Sequence, residues 1–347
     1  MSDQPATAPA AAQRRPLNVL CGLPDDRLCE ITINRGGGFA IGFPGTADIL
    51  QFLPTKFFAV NQVHLGPQRS IALARLVPGP ILNHIADADR CAKTLRQAAE
   101  IVTQSHRACF NHPSAVERTG RESVAQMLSG IDGLRVPRTI RFRHEGLAST
   151  QRILGEANFG YPYLVRVAGD HGGVSTLRLD DRASLDEIEK LNCLGKDMYA
   201  TEFVDFASPD GKYRKFRIAV VGSAFFLRHM VVGDNWMLHA QRRSNDTGAE
   251  EERMLQSFDD EIAPRIAPIV AEITRRMDLD CFGIDCNIDA EGRMLLFESN
   301  ACMNIMSNSQ ASPNMWDRPI ARIKQALFTL LSSPRKWRYP PQVKAAA

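Results

Sequence analysis

The sequence has 347 residues, which at roughly 150 residues per domain allows about two packed domains. Hydrophobic residues make up 44% and charged residues 23%, so a collagen-like or wholly disordered chain is excluded. The net charge is only +3, so neither nucleic acid nor a membrane surface is expected as the main partner. The eight cysteines stand singly, which favours a reducing cytoplasm over a disulfide scaffold.

The first third of the chain predicts an α/β unit. After a tail at 1–16 that is rich in Ala, Pro and Gln and predicted to be disordered, the apolar run LNVLC at 17–21 predicts a buried strand, and KFFAV at 56–60 predicts another. The stretch at 88–105 has helical composition and spacing. Because strand and helix signals alternate, we predict a mostly parallel sheet in an N-terminal domain at 17–112. The nearby cluster Gly36-Gly37-Gly38 lacks the lysine of a phosphate loop and predicts a turn.

The second part of the chain predicts more antiparallel strands. The segment that begins at Tyr161, YPYLVRV, is a predicted strand that ends in a glycine-rich turn, and the stretch at 212–240 alternates like a long hairpin. Between them, Ser184 followed by Glu three residues later predicts a capped helix. We assign 113–331 to one domain and predict that the basic tail at 332–347 frays.

The site prediction depends on an acidic hairpin at 280–305. It contains two predicted strands, FGIDCNI and RMLLFES, with a turn at 290–292. Because side chains alternate along a strand, Asp285, Glu298 and Asn300 can share one face. Two carboxylates and an amide oxygen suit Mg²⁺. An ordinary hairpin with polar residues facing water is the alternative, but charges beside apolar strands are costly without a cation or other partner.

The order of these parts resembles the ATP-grasp superfamily from about Leu17 to Leu331. The resemblance is strongest between Tyr161 and Asn304, where the chain is similar to ligases of the ribosomal-protein glutamate ligase and glutathione synthetase type. The resemblance rests on the segments YLVRVAGDHGG, TEFV, KFRIAVVG, LRHM and RRSN and on the acidic hairpin, in that order. It implies an α/β N-terminal unit followed by an α+β ATP-grasp clamp of two subdomains. The implied cofactors are ATP and Mg²⁺, with Mn²⁺ as a substitute.

The resemblance also implies roles for individual residues. A strand cation and the glycine loop would meet the phosphates, while a hinge strand would read the adenine. The implied nucleotide-binding residues are Arg166, Gly169, His171, Gly172, Gly173, Thr201, Glu202, Phe203, Val204, Lys215, Arg243, Ser244 and Asn245. The implied catalytic residues are Arg217, Arg228, Arg243 and Asn300, and the implied metal ligands are Asp285, Glu298 and Asn300.

Two positions depart from the family's pattern. The strand cation is usually lysine, whereas Arg166 presents a planar guanidinium. The position two before Arg217 is often acidic and faces the ribose, whereas here it is Lys215, so Asp205 and Asp210 stay open as ribose contacts. Three cysteines near the acidic hairpin are expected to be small apolar fillers, because an oxygen-ligated Mg²⁺ does not call on thiolates. They are Cys281, Cys286 and Cys302.

The implied activity is that of an ATP-dependent ligase that activates a carboxylate as an acyl phosphate and couples it to an amine. Its partners would be small-molecule or peptide carboxylates and amines, with no nucleic acid and no membrane, and a homo-oligomer stays open. Two alternatives also stay open. One is a phosphotransferase of the same fold, and the other is a nucleotide-binding regulatory protein without turnover. The acidic hairpin speaks against the second, whereas Lys215 speaks for it.

Overall fold

The computed structural model describes residues 14–33, 38–47, 49–66, 73–171, 173, 175–239, 247–308 and 310–341. Gly36, Gly37, Gly172 and the RRSN segment at 242–245, all discussed above, lie outside these residues. Among the residues described, no helix is both long and apolar enough to cross a membrane.

The first sheet consists of four parallel strands, which confirms the predicted α/β unit. Its central strand is buried from Leu17 to Gly22, as expected for a parallel sheet covered on both faces. The strands are Arg15–Gly22 (β1), Phe58–Leu65 (β4), Ile81–Asn83 (β5) and Cys109–Phe110 (β6), in the order β4-β1-β5-β6, and a separate antiparallel ribbon consists of Glu30–Ile33 (β2) and Phe39–Gly42 (β3).

The first helix, Ala92–Ser105 (α1), begins four residues later than the helical stretch predicted from 88. The reason is local. The Asp87 carboxylate accepts the backbone N–H groups of Asp89 and Arg90 at 2.8 and 3.0 Å, and this holds a turn before the helix. The turn keeps Asp89 and Arg90 outside the helix and at the end of the parallel sheet.

The second sheet is small and antiparallel, in the order β10-β9-β11-β8. The predicted capped helix is present as a 3₁₀ helix at Ala183–Leu191. The prediction that Ser184 forms a capping box is wrong. The Ser184 hydroxyl accepts the N–H groups of Asp180 and Asp181, which precede it, instead of one that follows. The elements of this region are Pro113–Glu117 (α2), Arg121–Leu128 (α3), Leu134–Arg135 (β7), Thr139–Arg143 (β8), Leu147–Glu156 (α4), Tyr163–Val167 (β9), Leu177–Leu179 (β10) and Asp197–Glu202 (β11).

The third sheet has five strands in the order β13-β12-β14-β15-β7 and contains the acidic hairpin. The helix Ala263–Met277 buries Ile266, Ile269, Val270 and Ile273, which recur at the three- and four-residue spacing of an amphipathic helix. The elements are Tyr213–Val221 (β12), Ala224–Gly233 (β13), Gly248–Glu261 (α5), Ala263–Met277 (α6), Cys281–Ile288 (β14), Met294–Asn300 (β15) and Asp317–Leu331 (α7).

The hydrophobic core has two parts. One cluster joins residues of the first sheet, such as Val19, with residues of the five-stranded sheet, such as Ile284. The other lies under the small sheet and contains Val165 and Met198. The small sheet therefore has its own core, whereas the first and third sheets share one. The domain boundaries predicted from the sequence stay a prediction.

The chain after α7 does not fray where the structure describes it, so that expectation is wrong for 332–341. The indole of Trp337 is 3% exposed and meets Phe110 of β6 edge-on, with ring centroids 5.4 Å apart. Tyr339 stacks on His112 at 4.2 Å. These aromatic contacts bury large apolar surfaces and fix the segment on the edge of the first sheet.

Candidate nucleotide site

A cavity of about 520 Å³ lies between the small sheet and the five-stranded sheet, a size typical of sites for small organic ligands. Apolar residues such as Leu164 and Leu295 line part of it. It is also lined by twelve of the residues predicted for the site, namely Arg166, His171, Gly173, Thr201, Glu202, Phe203, Val204, Lys215, Arg217, Asp285, Glu298 and Asn300.

Asp285 lies on β14, directly across from Glu298 on β15, which confirms the predicted hairpin. Its carboxylate is 5% exposed and accepts two hydrogen bonds from the Arg217 guanidinium. Arg217 Nε donates to Oδ1 at 2.7 Å, and Nη2 donates to Oδ2 at 2.8 Å. Lys215 Nζ is 3.3 Å from Oδ2. Burial alone would raise the pKa of Asp285, but Arg217 and Lys215 outweigh burial and hold that pKa far below its usual range.

Glu298 is held by a residue that the sequence prediction missed. Arg121, the first residue of α3, places Nη2 2.7 Å from Glu298 Oε1, and its Nη1 donates to the Phe297 carbonyl at 3.1 Å. Asn300 Nδ2 donates to the same Oε1 at 2.9 Å. Burial would raise the pKa of Glu298, but Arg121 and Arg166 together lower it. Both hairpin carboxylates are therefore ionised at neutral pH.

The donor set fits a hard divalent cation, because two ionised carboxylates and an amide oxygen lie on neighbouring strands. Glu298 is better placed to bind such a cation than Asp285 is. Among the described residues, Arg121 and Asn300 both contact Oε1 of Glu298, whereas both oxygens of Asp285 are engaged by cations. Asn300 Oδ1 accepts the Cys302 N–H at 3.0 Å and keeps a second lone pair.

Arg166 occupies the middle of β9, where its side chain points into the cavity. Its Nη2 donates to the carbonyl of Asp170 in the glycine loop. Burial, with a smaller contribution from the nearby Arg121, lowers the pKa of Arg166 to about 10, so the guanidinium stays charged at neutral pH. A partly desolvated cation is a strong partner for an anion such as a phosphate.

The glycine loop is held by the turn that precedes α1. Arg90 Nε donates to the carbonyl of Gly169 at 2.6 Å, and Asp89 Oδ2 accepts the Gly169 N–H at 3.2 Å. His171 Nε2 lies 2.7 Å from Oδ2 of the buried Asp87. The hydrogen bond to Asp87, followed by the contact with Cys302, raises the pKa of His171 to about 10. His171, predicted as a phosphate contact, is engaged by the N-terminal unit in this structure.

The turn at 87–90 is also anchored to the small sheet. Asp89 Oδ1 accepts the Tyr199 hydroxyl at 2.6 Å and Arg141 Nη1 at 2.8 Å. The sequence prediction named none of these residues. A signal for the aspartates exists, because Asp87 and Asp89 follow a buried parallel strand, and ligand sites in such sheets lie beyond the carboxyl ends of the strands.

The predicted adenine hinge leaves β11 at Glu202. The N–H groups of Glu202 and Phe203 are already bonded to the carbonyls of Arg138 and Pro162, at 2.9 and 3.3 Å. The Phe203 ring meets Trp236 edge-on at 5.6 Å. These two N–H groups are therefore not available to adenine in this structure, and the predicted adenine contact stays a prediction, while the Phe203 side chain lines the cavity.

The remaining predicted residues lie at the margin of the cavity or outside the described chain. Gly169 lines a small adjoining cavity. Arg228 is 6% exposed, and its Nη2 donates to the Ser307 carbonyl at 2.8 Å in the loop after β15, so it orders that loop. The nearby His229 pairs in register with Arg217 and helps to lower the pKa of Asp285. Gly172, Arg243, Ser244 and Asn245 lie outside the described residues, and their roles stay predictions.

Comparison with known proteins gives a clear result for the fold and none for the sequence. No known family matches the sequence, and no curated protein matches it. Solved structures do match. The D-alanine–D-alanine ligase from Bacillus anthracis superposes with a TM-score of 0.54 at 10% identity, covering 94% of this chain and 99% of that chain. The VanG D-Ala:D-Ser ligase from Enterococcus faecalis gives 0.52 at 11% identity, covering 93% and 100%.

A third structure adds a bound nucleotide. The N5-carboxyaminoimidazole synthetase from Staphylococcus aureus, complexed with ADP, has a TM-score of 0.52 at 11% identity and covers 89% of this chain and 77% of that chain. The small sheet and the five-stranded sheet, with helices packed beside them and a cavity between them, define the class, a two-part α+β architecture. Within that class the chain has the ATP-grasp fold, as the sequence resemblance implied.

Proposed function

We propose that the protein is an ATP-dependent carboxylate–amine ligase. The observation that carries the proposal is the pair of ionised carboxylates on facing strands, the buried Asp285 and the partly buried Glu298, which share the cavity with Lys215, Arg217 and Arg166. Such a mixed-charge lining suits a metal-bound triphosphate better than a neutral ligand. The fold neighbours named as ligases support the same reaction class.

The reaction requires no protein nucleophile. A substrate carboxylate oxygen attacks the γ-phosphorus of ATP, the bond between that phosphorus and the β–γ bridging oxygen breaks, and ADP leaves. The amine nitrogen then attacks the acyl carbon, phosphate departs, and the amine loses a proton as the amide forms. Both steps depend on positioning and on neutralising phosphate charge. We assign Arg166, Lys215 and Arg217 to that neutralisation, because their charged groups line the cavity.

Mg²⁺ would be held by Glu298 and Asn300, with Asp285 as the third ligand, and Mn²⁺ could replace it. When bound, the metal supplies Lewis-acid charge at the phosphate oxygens. Lys215 and Arg217 also affect whether Asp285 is free to bind the metal. An arriving triphosphate competes with Asp285 for Lys215 and Arg217, which lie 3.3 and 2.7 Å from its oxygens, and thereby frees that carboxylate.

The cysteines support a reducing, cytoplasmic location, which we propose on that basis. All eight lie within the described residues, and all eight are free thiols. Neighbours that join amino acids point to amino-acid or peptide substrates, and we propose this substrate class for the chain.

The test is an ADP-release screen of the purified protein with Mg²⁺·ATP and mixed amino acids and small carboxylates, with mass detection of the product. We expect equal amounts of ADP, phosphate and a new amide. A stable phosphorylated product without free phosphate would establish the phosphotransferase instead. Nucleotide binding without ADP release for any mixture would favour the regulatory protein.

Arg166→Ala is expected to weaken ATP binding about 10- to 150-fold, because a hydrogen bond to a charged group is worth ~1.5 to 3 kcal/mol. Arg166→Lys, which restores the family's usual residue, should recover part of that loss. Titration calorimetry with Mg²⁺·ATP measures the affinity. Arg152→Ala is the control, since Arg152 is 63% exposed and pairs with Glu156 on the outer helix α4. Equal ATP affinity in Arg166→Ala and the parent would remove Arg166 from the site.

A further inference from the structure

Three side chains from separate segments converge beside the glycine loop. Asp87 belongs to the turn before α1, His171 to the glycine loop, and Cys302 to the segment after β15. One ligand atom from each lies within 4.8 Å of the other two. His171 Nε2 is 2.7 Å from Asp87 Oδ2 and 4.0 Å from Cys302 Sγ. Cys302 is therefore more than the apolar filler expected from the sequence, because it is only partly buried and faces an imidazole.

Nitrogen, sulfur and carboxylate donors are the set that zinc prefers. Tetrahedral Zn²⁺ lies about 2.0 to 2.3 Å from such ligands, which places two ligand atoms roughly 3.3 to 3.8 Å apart. The present separations of 2.7 and 4.0 Å lie on either side of that range. Gly169 and Gly173 lie two residues before and two residues after His171 in the loop, so a shift of less than about one ångström brings both separations into that range. We propose that Asp87, His171 and Cys302 form a zinc site.

The charge balance favours a divalent ion at this point. Zn²⁺ held by one carboxylate, one thiolate and one neutral imidazole forms a cluster without net charge, and any proton on Nε2 or on the thiol leaves to solvent as the metal binds. Zinc therefore places no net charge in a partly buried site, where net charge would be costly.

There is also space for a fourth ligand. A small cavity of about 20 Å³ is lined by Asp87, His171 and Cys302 together with Glu298 and Asn300. A cavity needs roughly 10 to 15 Å³ to hold a water molecule, so one water can complete the tetrahedron. The proposed Mg²⁺ site is distinct in chemistry, since it offers only oxygen ligands, which Mg²⁺ selects.

Zinc at this position would act on the glycine loop. It would bond the loop to the N-terminal unit and to the end of the acidic hairpin at once, replacing a single ion pair between His171 and Asp87. Because the loop borders the nucleotide cavity, we expect bound zinc to slow the exchange of nucleotide without competing for the phosphate site. The zinc site does not depend on the proposed ligase activity, since any nucleotide in the cavity would show the effect.

Cobalt is the probe, because Co²⁺ takes zinc sites and reports a thiolate ligand through a sulfur-to-metal charge-transfer band. The parent is expected to bind one Co²⁺ with that band, and Zn²⁺ should displace it, whereas excess Mg²⁺ should not. Cys302→Ser should abolish the band. Asp87→Asn and His171→Gln should each lower Zn²⁺ affinity by at least roughly 100-fold, the upper end of what loss of an outer-shell partner costs.

Cys29→Ser is the matched control, since Cys29 is an exposed free thiol that is not a member of the cluster, and it should leave the band and the affinity unchanged. Circular dichroism of each variant shows whether it has folded. Absence of the band in the folded parent overturns the proposal, and so does a band that survives in Cys302→Ser or is lost in Cys29→Ser. Release of a fluorescent ADP analogue, measured with and without Zn²⁺, tests the effect on the loop, and equal rates would refute that effect.

Discussion

Glu298→Gln is expected to lower the rate of ADP release by about 1,000-fold or more while leaving the fold intact. The substitution keeps size and shape but removes one negative charge from the site proposed to hold Mg²⁺ against the triphosphate. Loss of ~4 kcal/mol of transition-state charge stabilisation corresponds to roughly three powers of ten in rate. Steady-state ADP release over a range of Mg²⁺ concentrations measures the effect.

The structure explains why the fold should survive this change. Oε1 of Glu298 accepts from Arg121 and Asn300 at 2.7 and 2.9 Å, and a glutamine side chain still offers an oxygen at that position. Glu291→Gln is the matched control, because Glu291 lies in the turn of the same hairpin and is 64% exposed. We expect the control to keep the parental rate and both variants to keep the parental melting temperature.

Substitution of the other two proposed ligands should not add to the effect. Asp285→Asn and Asn300→Ala would each disrupt the same metal site, so the double variants should lose little more than the worse single variant. A Glu298→Gln protein that turns over at the parental rate with the same Mg²⁺ dependence would refute the metal assignment. The hairpin would then be structural, with its carboxylates held only by arginine and lysine.

The acidic hairpin could be predicted from the sequence because its signals are local. Alternation along two short strands and a turn between them place Asp285 opposite Glu298 whatever surrounds the sheet. The partners of these carboxylates could not be predicted in the same way. Arg121 is 177 positions before Glu298 in the sequence and reaches it only because α3 packs beside β15.

Two expectations failed, one because of a contact distant in sequence and the other because of a local hydrogen bond. The tail after α7 has basic residues and prolines, which read as disorder, yet Trp337 is buried on Phe110 across more than 200 positions. The capping box at Ser184 failed for a local reason, since its hydroxyl is taken by preceding amides. Composition and motif therefore predict what a segment usually does, whereas single contacts, distant or local, decide the structure of a particular segment.

A buried group of hydrogen bonds, here called the joint, connects Asn111 after the first sheet to Asp280 and Cys281 of the acidic hairpin. It likewise could not be predicted from the sequence. Asn111 Oδ1 accepts the N–H groups of Asp280 and Cys281 at 2.8 and 2.9 Å, and its Nδ2 donates to the Cys281 carbonyl at 2.7 Å. The Asn111 N–H donates to Asp280 Oδ2 at 2.7 Å. The joint lies at the first residues of β14, the strand that carries Asp285 four positions later.

Asn111→Ala is expected to lower the free energy of unfolding by about 3 kcal/mol or more. The substitution leaves two buried N–H groups and one carbonyl without side-chain partners, and each such group costs ~1 to 3 kcal/mol unless water replaces the lost bond. Asn111 also has a left-handed φ of 49°, which asparagine tolerates better than alanine does. Urea unfolding followed by circular dichroism measures the loss.

The control separates backbone strain from the lost hydrogen bonds. Asn192 has a similar φ of 47° at the end of the 3₁₀ helix and is exposed, so Asn192→Ala should cost only the ~1 to 2 kcal/mol of the left-handed conformation. The difference between the two variants then measures the joint. We also expect Asn111→Ala alone to weaken Mg²⁺·ATP binding, because displacement of β14 moves Asp285 and with it Arg217 and Lys215. Equal destabilisation by the two variants, with unchanged nucleotide affinity, would show that the joint does not hold the hairpin in place.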